Sequence, residues 1–276
     1  MRNLTEDNIT QAVIACLNET PDARLKELLT RLVQHLHAFA REVKLTEAEW
    51  FQGIEFLTKV GHMCDAKRQE FILLSDTLGL SMLTVAMNNQ KPPGCTEATV
   101  FGPFFVQGAP AVEPGGDVAN GAPGEPCVVR GVVRDADGKP VAGARLDVWQ
   151  ADDEGLYDVQ REGLASAQGR GVLTSGADGE YHFRTVLPQP YPIPTDGPVG
   201  DLLRSTRRHP WRPAHLHFKI EAQGHQTLVT HVFRDDDPYL DSDAVFGVRQ
   251  SLVAPWRKNA DGEHLLEFDF VLHRSS

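Results

Sequence analysis

The 276-residue sequence lacks several features that mark common classes of protein. Its four cysteines are scattered without a CxxC pair, which disfavours a zinc knuckle or a disulfide framework. It has no apolar run long enough to span a bilayer, and its first residues show no signal-peptide core. No basic run exceeds Arg207-Arg208, and the net charge is −11, which disfavours nucleic-acid and anionic-membrane partners. We therefore expect a cytoplasmic protein with no nucleic-acid partner and no membrane insertion.

The pattern of apolar residues changes near residue 92. Before it, helical spacing begins near residues 5, 21 and 46, and the segment 66–89 predicts one or two further helices. After Lys91-Pro92-Pro93-Gly94, short alternating runs predict strands over 127–134, 144–149, 172–174, 181–186, 216–220, 227–233 and 265–272. The prediction is an α+β chain with a helical linker or dimerisation domain at 1–98 and an antiparallel β-sandwich catalytic domain at 99–276.

Two histidines stand one residue apart in the stretch RPAHLHF at 212–218. On a strand, side chains at i and i+2 point to one face, so His215 and His217 aim at one point. The same His-Leu-His sequence at 35–37 falls in a predicted helix, where side chains two residues apart point in different directions. Zinc or iron usually takes four or more ligands, and no third histidine or HExxH motif stands nearby in the sequence. The pattern alone leaves open a metal site and a pair of exposed polar residues.

The missing ligands need not be carboxylates. Among the four tyrosines, Tyr157 follows a predicted strand and Tyr191 lies in the rigid, proline-rich stretch PYPIP. Both fall in loops beside strands, where function tends to reside. Spacing alone does not separate a ligand from a half-buried packing residue at either position.

Three motifs together resemble the signature of the intradiol ring-cleaving dioxygenases: VVRGVVRDADGKPVAGARLDVWQADDEGLYD (128–158), YPIPTDGP (191–198) and RPAHLHF. The helical N-terminal region resembles that of the family's catechol-type branch. The resemblance covers nearly the whole chain. It implies one non-haem Fe(III) per chain, bound by Tyr157, Tyr191, His215 and His217. Phenolate is a hard anionic ligand, and two tyrosinates with one hydroxide would balance the three positive charges.

The resemblance also implies roles for other residues and partners. O2 would cleave an aromatic diol or triol, and Tyr191 would be the ligand that leaves when substrate binds. Arg212 would lie against the bound ring and favour negative charge on the carbon that meets O2. His231 would support the ligands, although an ordinary strand histidine fits its position equally well. In the family, the N-terminal helices form a homodimer and can enclose a lipid-like molecule.

Four pocket-like segments, at 74–76, 99–105, 193–194 and 243–246, resemble those of the hydroxyquinol-cleaving branch of the family. Asp76 lies in an apolar helical stretch, where a carboxylate is costly unless paired. It could accept a hydrogen bond from the third hydroxyl of 1,2,4-trihydroxybenzene, or it could face solvent. The expected product is 3-hydroxy-cis,cis-muconate or its tautomer maleylacetate. The expected substrate contacts are Asp76, Val100, Phe101, Gly102, Pro103, Phe104, Ile193, Pro194, Arg212 and Val245.

Three other interpretations stay open at this point. One is a catechol 1,2-dioxygenase that forms cis,cis-muconate. Another is a non-catalytic prealbumin-like binding module, because the turn pattern at 131–144 also occurs in such modules. The third is a ferrous or zinc enzyme that uses His215 and His217 with carboxylates from 235–237. A ferric tyrosinate protein would be red to purple, whereas the last class would be nearly colourless.

Overall fold

Helices occupy the first third of the chain. The computed structural model describes residues 2–65 and 68–275, and the chain divides into two compact units, Met1–Lys59 and Val60–Ser276. The first unit contains α1 (Ile9–Cys16), α2 (Ala23–Glu42) and most of α3 (Glu47–His62). Their starts follow from local hydrogen bonding, since the Asp22 carboxylate accepts two backbone N–H groups of α2. The Thr46 hydroxyl and Glu49 carboxylate cap α3 reciprocally. Both predicted helix starts are confirmed.

The second unit begins with two short helices, α4 (Glu70–Thr77) and α5 (Leu80–Asn88). Gly79 separates them with φ +75°, a left-handed conformation that glycine adopts without strain. The segment 66–89 was predicted to be helical, and its first two residues lie outside the described residues. In the described part of the chain no single helix is long and apolar enough to cross a bilayer; α4 and α5 reach that length and hydropathy only as a pair bent by 78°.

The remainder of the second unit contains strands, one further α-helix and two short 3-10 helices, joined by loops. The α-helix is α6 (Pro198–Ser205), and the 3-10 helices are Asp158–Gln160 and Gln250–Leu252. The strands are β1 (Pro126–Asp135), β2 (Arg145–Trp149), β3 (Arg170–Thr174), β4 (Glu180–Val186), β5 (Tyr191–Pro192), β6 (Trp211–Arg212), β7 (His215–Glu221), β8 (Leu228–Arg234), β9 (Val253–Ala254), β10 (Trp256–Lys258), β11 (His264–Glu267) and β12 (Phe270–Leu272).

The strands form two five-stranded sheets and one short ladder. One sheet has the order β10-β11-β1-β12, with β4 also paired to β1, and the other has the order β3-β2-β7-β8-β9. The prediction that the sandwich is antiparallel is wrong for three of the strand pairs. β1 pairs in parallel with β11 and β12, and β8 pairs in parallel with β9. Alternating polarity predicts which face of a strand is buried, but it does not specify the direction of its neighbours. The α+β class itself is confirmed.

The main apolar cluster draws side chains from both sheets. Phe183 and Phe270 come from one sheet, and Leu146, Leu216 and Phe218 come from the other. Each is fully buried, and burying a side chain of this size stabilises the fold by roughly 1.5–3 kcal/mol. Because residues alternate along β7, the side chains between these core residues are presented on the opposite face of the sheet.

The predicted domain boundary between residues 98 and 99 stays a prediction. It separates the helices that end with α5 at Asn88 from the strands that begin with β1 at Pro126. All four cysteines are free thiols.

Candidate metal centre and active site

Strands β7 and β8 place three imidazoles together on one face of a sheet. His215 and His217 alternate with core residues of β7, and their Nε2 atoms lie 3.1 Å apart. His231 of β8 stands directly opposite His217 in the ladder. One ligand nitrogen from each of the three lies within 4.8 Å of the others, and all three residues are buried. Strand register therefore brings His231, the residue expected to support the ligands, next to the pair in space.

Tyr157 reaches this cluster from the loop that follows β2. The Asp152 carboxylate accepts the N–H groups of Glu154 and Leu156 at 3.0 Å each, which closes the turn before Tyr157. The tyrosine is fully buried, and Phe104 stacks on its ring with centroids 4.4 Å apart. Its Oη lies 2.8 Å from His217 Nε2.

Tyr191 reaches the cluster through the two-residue ladder between β5 and β6. Tyr191 pairs directly with Arg212 in that ladder, and Arg212 Nη1 donates to Tyr191 Oη at 3.3 Å. The two tyrosine rings meet edge to face with centroids 5.5 Å apart. Gly155, with φ +76°, lies so close that a Cβ there would stand 2.9 Å from Tyr191 Cβ. The close approach of the two tyrosine loops therefore requires glycine at this position.

The protonation of His215 follows from its partners. Its Nδ1 lies 2.6 Å from the Pro213 carbonyl oxygen, which can only accept, so Nδ1 carries the proton. Burial and the charge of Arg212 lower the pKa of His215 well below its ordinary value, which leaves a neutral ring. Its Nε2 then carries a lone pair directed at the cluster, with Arg212 Nη1 3.3 Å away. Burial, followed by the charges of His215 and Arg212, lowers the pKa of His217 in the same direction.

Arg212 is the buried cation of the site. Burial acts to lower its pKa, but the charge of Asp243, the charge of Tyr191 and the hydrogen bond to Asp243 together raise the pKa above its ordinary value. Arg212 Nε lies 3.1 Å from Asp243 Oδ1 in an ion pair with both side chains almost wholly buried. Burial raises the pKa of Tyr157 well above its ordinary value, while the charge of Arg212 acts against this rise.

Two phenol oxygens and two imidazole Nε2 atoms thus converge in a buried space beside one arginine. Such a mixed oxygen and nitrogen set suits a hard or borderline transition-metal ion. His217 Nδ1 and His231 Nε2 are buried without a hydrogen-bond partner among the described residues. Trp149 stacks on His217 with centroids 4.6 Å apart, so the orientation of that imidazole is fixed by packing instead of by a second hydrogen bond. The donor set fits a resident metal ion.

A cavity of about 580 Å³ opens among residues of α4 and the loops around 103–106, 159–160 and 194. Four of the predicted substrate contacts line it: Asp76, Pro103, Phe104 and Pro194. Asp76 is buried, and burial raises its pKa above the ordinary value, whereas a hydrogen bond from Ser81 and the charge of Arg212 oppose the rise. The cavity is large enough for a single aromatic ring.

The other predicted substrate contacts have different positions. Val100, Ile193 and Val245 are buried in an apolar cluster with Leu73 of the cavity wall. Gly102, with φ +77°, lies against His217, and a Cβ there would stand 3.1 Å from His217 Cε1. Phe101 is 40% exposed and packs against Trp149 and Phe105.

The sequence placed Asp243 within a pocket-like segment but did not predict its pairing with Arg212, and it did not single out Trp149 as part of the site. Trp149 ends a predicted strand, and an aromatic residue there is typical of core packing. Asp243 lies 31 residues after Arg212, and nothing in the spelling of that segment indicates that it pairs with an arginine. Both relationships arise only from the way the strands and loops fold together.

Comparisons with known proteins identify the family of the chain. Residues 100–274 match the family described as "Dioxygenase", and residues 22–96 match the one described as "Catechol dioxygenase N terminus". The chain is 67% identical to the 6-chlorohydroxyquinol 1,2-dioxygenase of Cupriavidus pinatubonensis, with 99% of each chain covered. It is 54% identical to the hydroxyquinol 1,2-dioxygenase of Nocardioides simplex, over 93% of this chain and 87% of that one.

Solved structures give the same assignment. The structure of hydroxyquinol 1,2-dioxygenase from Pseudomonas putida DLL-E4 matches with a TM-score of 0.92 at 47% identity, covering 98% of this chain and 99% of that one. The chain belongs to the intradiol ring-cleaving dioxygenase family. Proteins of this family use non-haem iron, and the histidine cluster of this chain could bind such an ion.

Proposed function

We propose that this protein cleaves hydroxyquinol, 1,2,4-trihydroxybenzene, with O2 between its two adjacent hydroxylated carbons. The observation that carries the proposal is the buried convergence of two tyrosines and two histidines beside Arg212, next to a cavity lined by Asp76. The names of the similar proteins support hydroxyquinol over catechol as the substrate.

The metal is proposed to be one Fe(III) per chain, held by Tyr157, Tyr191, His215 and His217. When bound, Fe(III) supplies a Lewis acid that holds the diol and prepares its ring for reaction with O2. The protein fixes the ligands in advance: the Pro213 carbonyl holds the His215 tautomer, and Trp149 holds the ring of His217.

The chain's own residues handle protons, charge and water. Tyr191 Oη, which accepts from Arg212 Nη1, is the proposed site at which a proton from a substrate hydroxyl is received and held. The buried guanidinium favours negative charge on the ring carbon that meets O2. Phe104, stacked on Tyr157, closes the site from water. In the overall reaction one carbon–carbon bond breaks and each of its carbons gains one oxygen atom from O2, which gives 3-hydroxy-cis,cis-muconate or maleylacetate without loss of any atom.

Asp76 is the proposed determinant of preference for the triol. Its carboxylate is buried in the cavity wall, where each missing hydrogen bond to a polar group is costly. Ser81 supplies one hydrogen bond. A third hydroxyl on the substrate would supply a further donor, and catechol has none. A site of this kind discriminates against the analogue that lacks the hydroxyl.

The test is turnover by the iron-loaded chain of hydroxyquinol, 6-chlorohydroxyquinol, catechol and protocatechuate, followed by O2 uptake and product absorbance. Because hydroxyquinol oxidises in air, the metal-free chain is the matched control. We expect consumption of one O2 per hydroxyquinol and slower cleavage of catechol. Equal or faster cleavage of catechol would instead assign a catechol 1,2-dioxygenase. A colourless iron-loaded protein without turnover would favour the ferrous or zinc interpretation or the binding module.

The partner of the first unit is proposed to be a second copy of this chain, with a lipid-like molecule enclosed. Helix α2 buries none of its residues. An apolar row along it stays 46–55% exposed and consists of Leu25, Leu28, Leu32, Leu36 and Phe39. An exposed apolar row of this size normally marks a surface that another molecule buries. Light scattering should give twice the chain mass, and Leu32→Glu should give the monomer, with Arg31→Glu as a control on the same helix. A wild-type monomer would refute the proposal.

A further inference from the structure

Asp243 engages one edge of the Arg212 guanidinium. Arg212 Nε donates to Asp243 Oδ1 at 3.1 Å, and Nη2 donates to Oδ2 at 3.4 Å. The same Nη2 also donates to His231 Nδ1 at 3.4 Å. The remaining nitrogen, Nη1, lies 3.3 Å from both Tyr191 Oη and His215 Nε2. A planar fork held along one edge has only one direction left for its other nitrogen.

The carboxylate of Asp243 is itself fixed by the turn that follows it. Its Oδ1 accepts the N–H of Val245 at 3.3 Å, and its Oδ2 accepts the N–H of Gly247 at 2.9 Å. The turn passes through Phe246 at φ +60°. A Cβ at Gly247 would stand 3.1 Å from Arg212 Nη2, so glycine lets this turn approach the guanidinium without displacing it.

The Arg212–Asp243 ion pair also compensates the positive charge of Arg212 beside the site. Both side chains are almost wholly buried, and an isolated buried cation carries a large desolvation cost. With Asp243 present, Arg212 can lie next to the ligand atoms without an uncompensated charge of its own.

We infer that Asp243 is a positioning residue for ring cleavage: it aims Arg212 Nη1 at the Tyr191 and His215 side of the site. The inference rests on the proposed function, because the ring that Arg212 would face is the substrate. Asp243 acts through Arg212 and touches neither a metal ligand nor the cavity among the contacts described. A purely structural carboxylate would act on stability and not through the arginine.

Asp135 provides a matched structural control. It is also buried, accepts two N–H groups of its own turn, from Asp137 and Lys139, and pairs with an arginine, Arg274. It has no contact with the histidines or tyrosines of the site. Asp135→Asn therefore reports the cost of losing such a carboxylate from the fold alone.

The experiment is a double-mutant cycle with Asp243→Asn and Arg212→Gln in the iron-loaded chain. We expect Asp243→Asn to lower kcat for hydroxyquinol by about 100-fold, the size typical of a misplaced group. Added to Arg212→Gln, it should change kcat by less than about twofold, because the residue through which it acts is already gone. Asp135→Asn should leave kcat unchanged. Bound iron per chain should equal that of the wild type in every variant.

Three outcomes would overturn the inference while leaving the proposed function intact. One is the same loss from Asp243→Asn in both backgrounds, as a structural role requires. Another is a fall in bound iron that matches the fall in kcat. If Asp243→Asn does not fold, Arg212→Lys tests the same geometry, because lysine keeps the charge but lacks the planar fork. A near-normal kcat in Arg212→Lys is the third outcome that would overturn the inference. No turnover of any diol by the wild type would overturn both the inference and the proposed function.

Discussion

His217 stands directly opposite His231 across the β7–β8 ladder, and their rings meet edge to face with centroids 4.1 Å apart. His231 also stacks on His215 at 4.6 Å. The two proposed histidine ligands therefore rest against a third imidazole, whose Nδ1 accepts a hydrogen bond from Arg212 Nη2. Its Nε2 has no hydrogen-bond partner among the described residues, so a supporting role and a ligand role can be tested against each other.

We expect His231→Gln to keep the iron and His217→Gln to lose it. Glutamine retains an acceptor for Arg212 Nη2, and changes beside a metal ligand typically cost about 10- to 100-fold in metal affinity. Removal of a ligand should cost more. Metal content after dialysis against a chelator measures the difference. Equal iron loss from the two variants would make His231 a ligand.

Tyr157→Phe should weaken and shift the visible charge-transfer absorption of the iron-loaded protein, because a phenyl ring cannot coordinate and only the Tyr191 phenolate would remain. Tyr181→Phe is the matched control. Tyr181 is also buried, and its hydroxyl donates to the Phe268 carbonyl at 2.6 Å. Its loss should cost about 1 kcal/mol of stability and leave the spectrum unchanged. A persistent wild-type spectrum in Tyr157→Phe would refute the assignment of Tyr157 as a ligand.

Asp76→Ala should lower the preference for hydroxyquinol over catechol by about 10- to 100-fold. A hydrogen bond to a charged group is worth about 1.5–3 kcal/mol, and only the triol can form it. The measurement is the ratio of kcat/KM for the two substrates. Leu73→Ala changes the same cavity wall without a polar group and should affect both substrates alike. An unchanged ratio in Asp76→Ala would exclude this role.

Asp135 should make the fold resistant to acid. The hydrogen bond from Arg274 and the backbone N–H of Lys139 lower the pKa of Asp135 to about 2. Because the folded-state pKa lies below the ordinary value of about 3.9, the stabilisation is fully present above that value and is lost as pH falls toward 2. Urea unfolding should give a higher free energy of unfolding for the wild type than for Asp135→Asn at pH 6. This difference should disappear near pH 2. A constant difference over this range would contradict the assignment.

The sequence predicts half of the candidate site on physical grounds. Strand alternation brings His215 and His217 to one face, since that rule depends only on local geometry. Tyr157 and Tyr191 came from the resemblance to the family, because no spacing rule joins two loops to a strand. His231 and Asp243 join the site through strand register and a distant turn, which local patterns do not contain.

The same distinction applies to the fold. Helix starts at Asp22 and Thr46 follow from side-chain capping within a few residues, and they were predictable. The parallel neighbours of β1 were not, since they come from the end of the chain. The domain boundary, the homodimer and the cytoplasmic location stay predictions.

The parallel pairing of β1 with β11 and β12 sets the order in which the second unit can form. Arg130 of β1 pairs with Glu267, 137 residues further along the chain. During synthesis, β1 therefore cannot pair with β11 and β12 until almost the whole remaining chain has been made. Contacts this distant slow folding, and a chain cut shortly after His217 would contain all four proposed ligands without the strands that complete their scaffold. Iron should thus bind late, after the strands that support the ligands have paired.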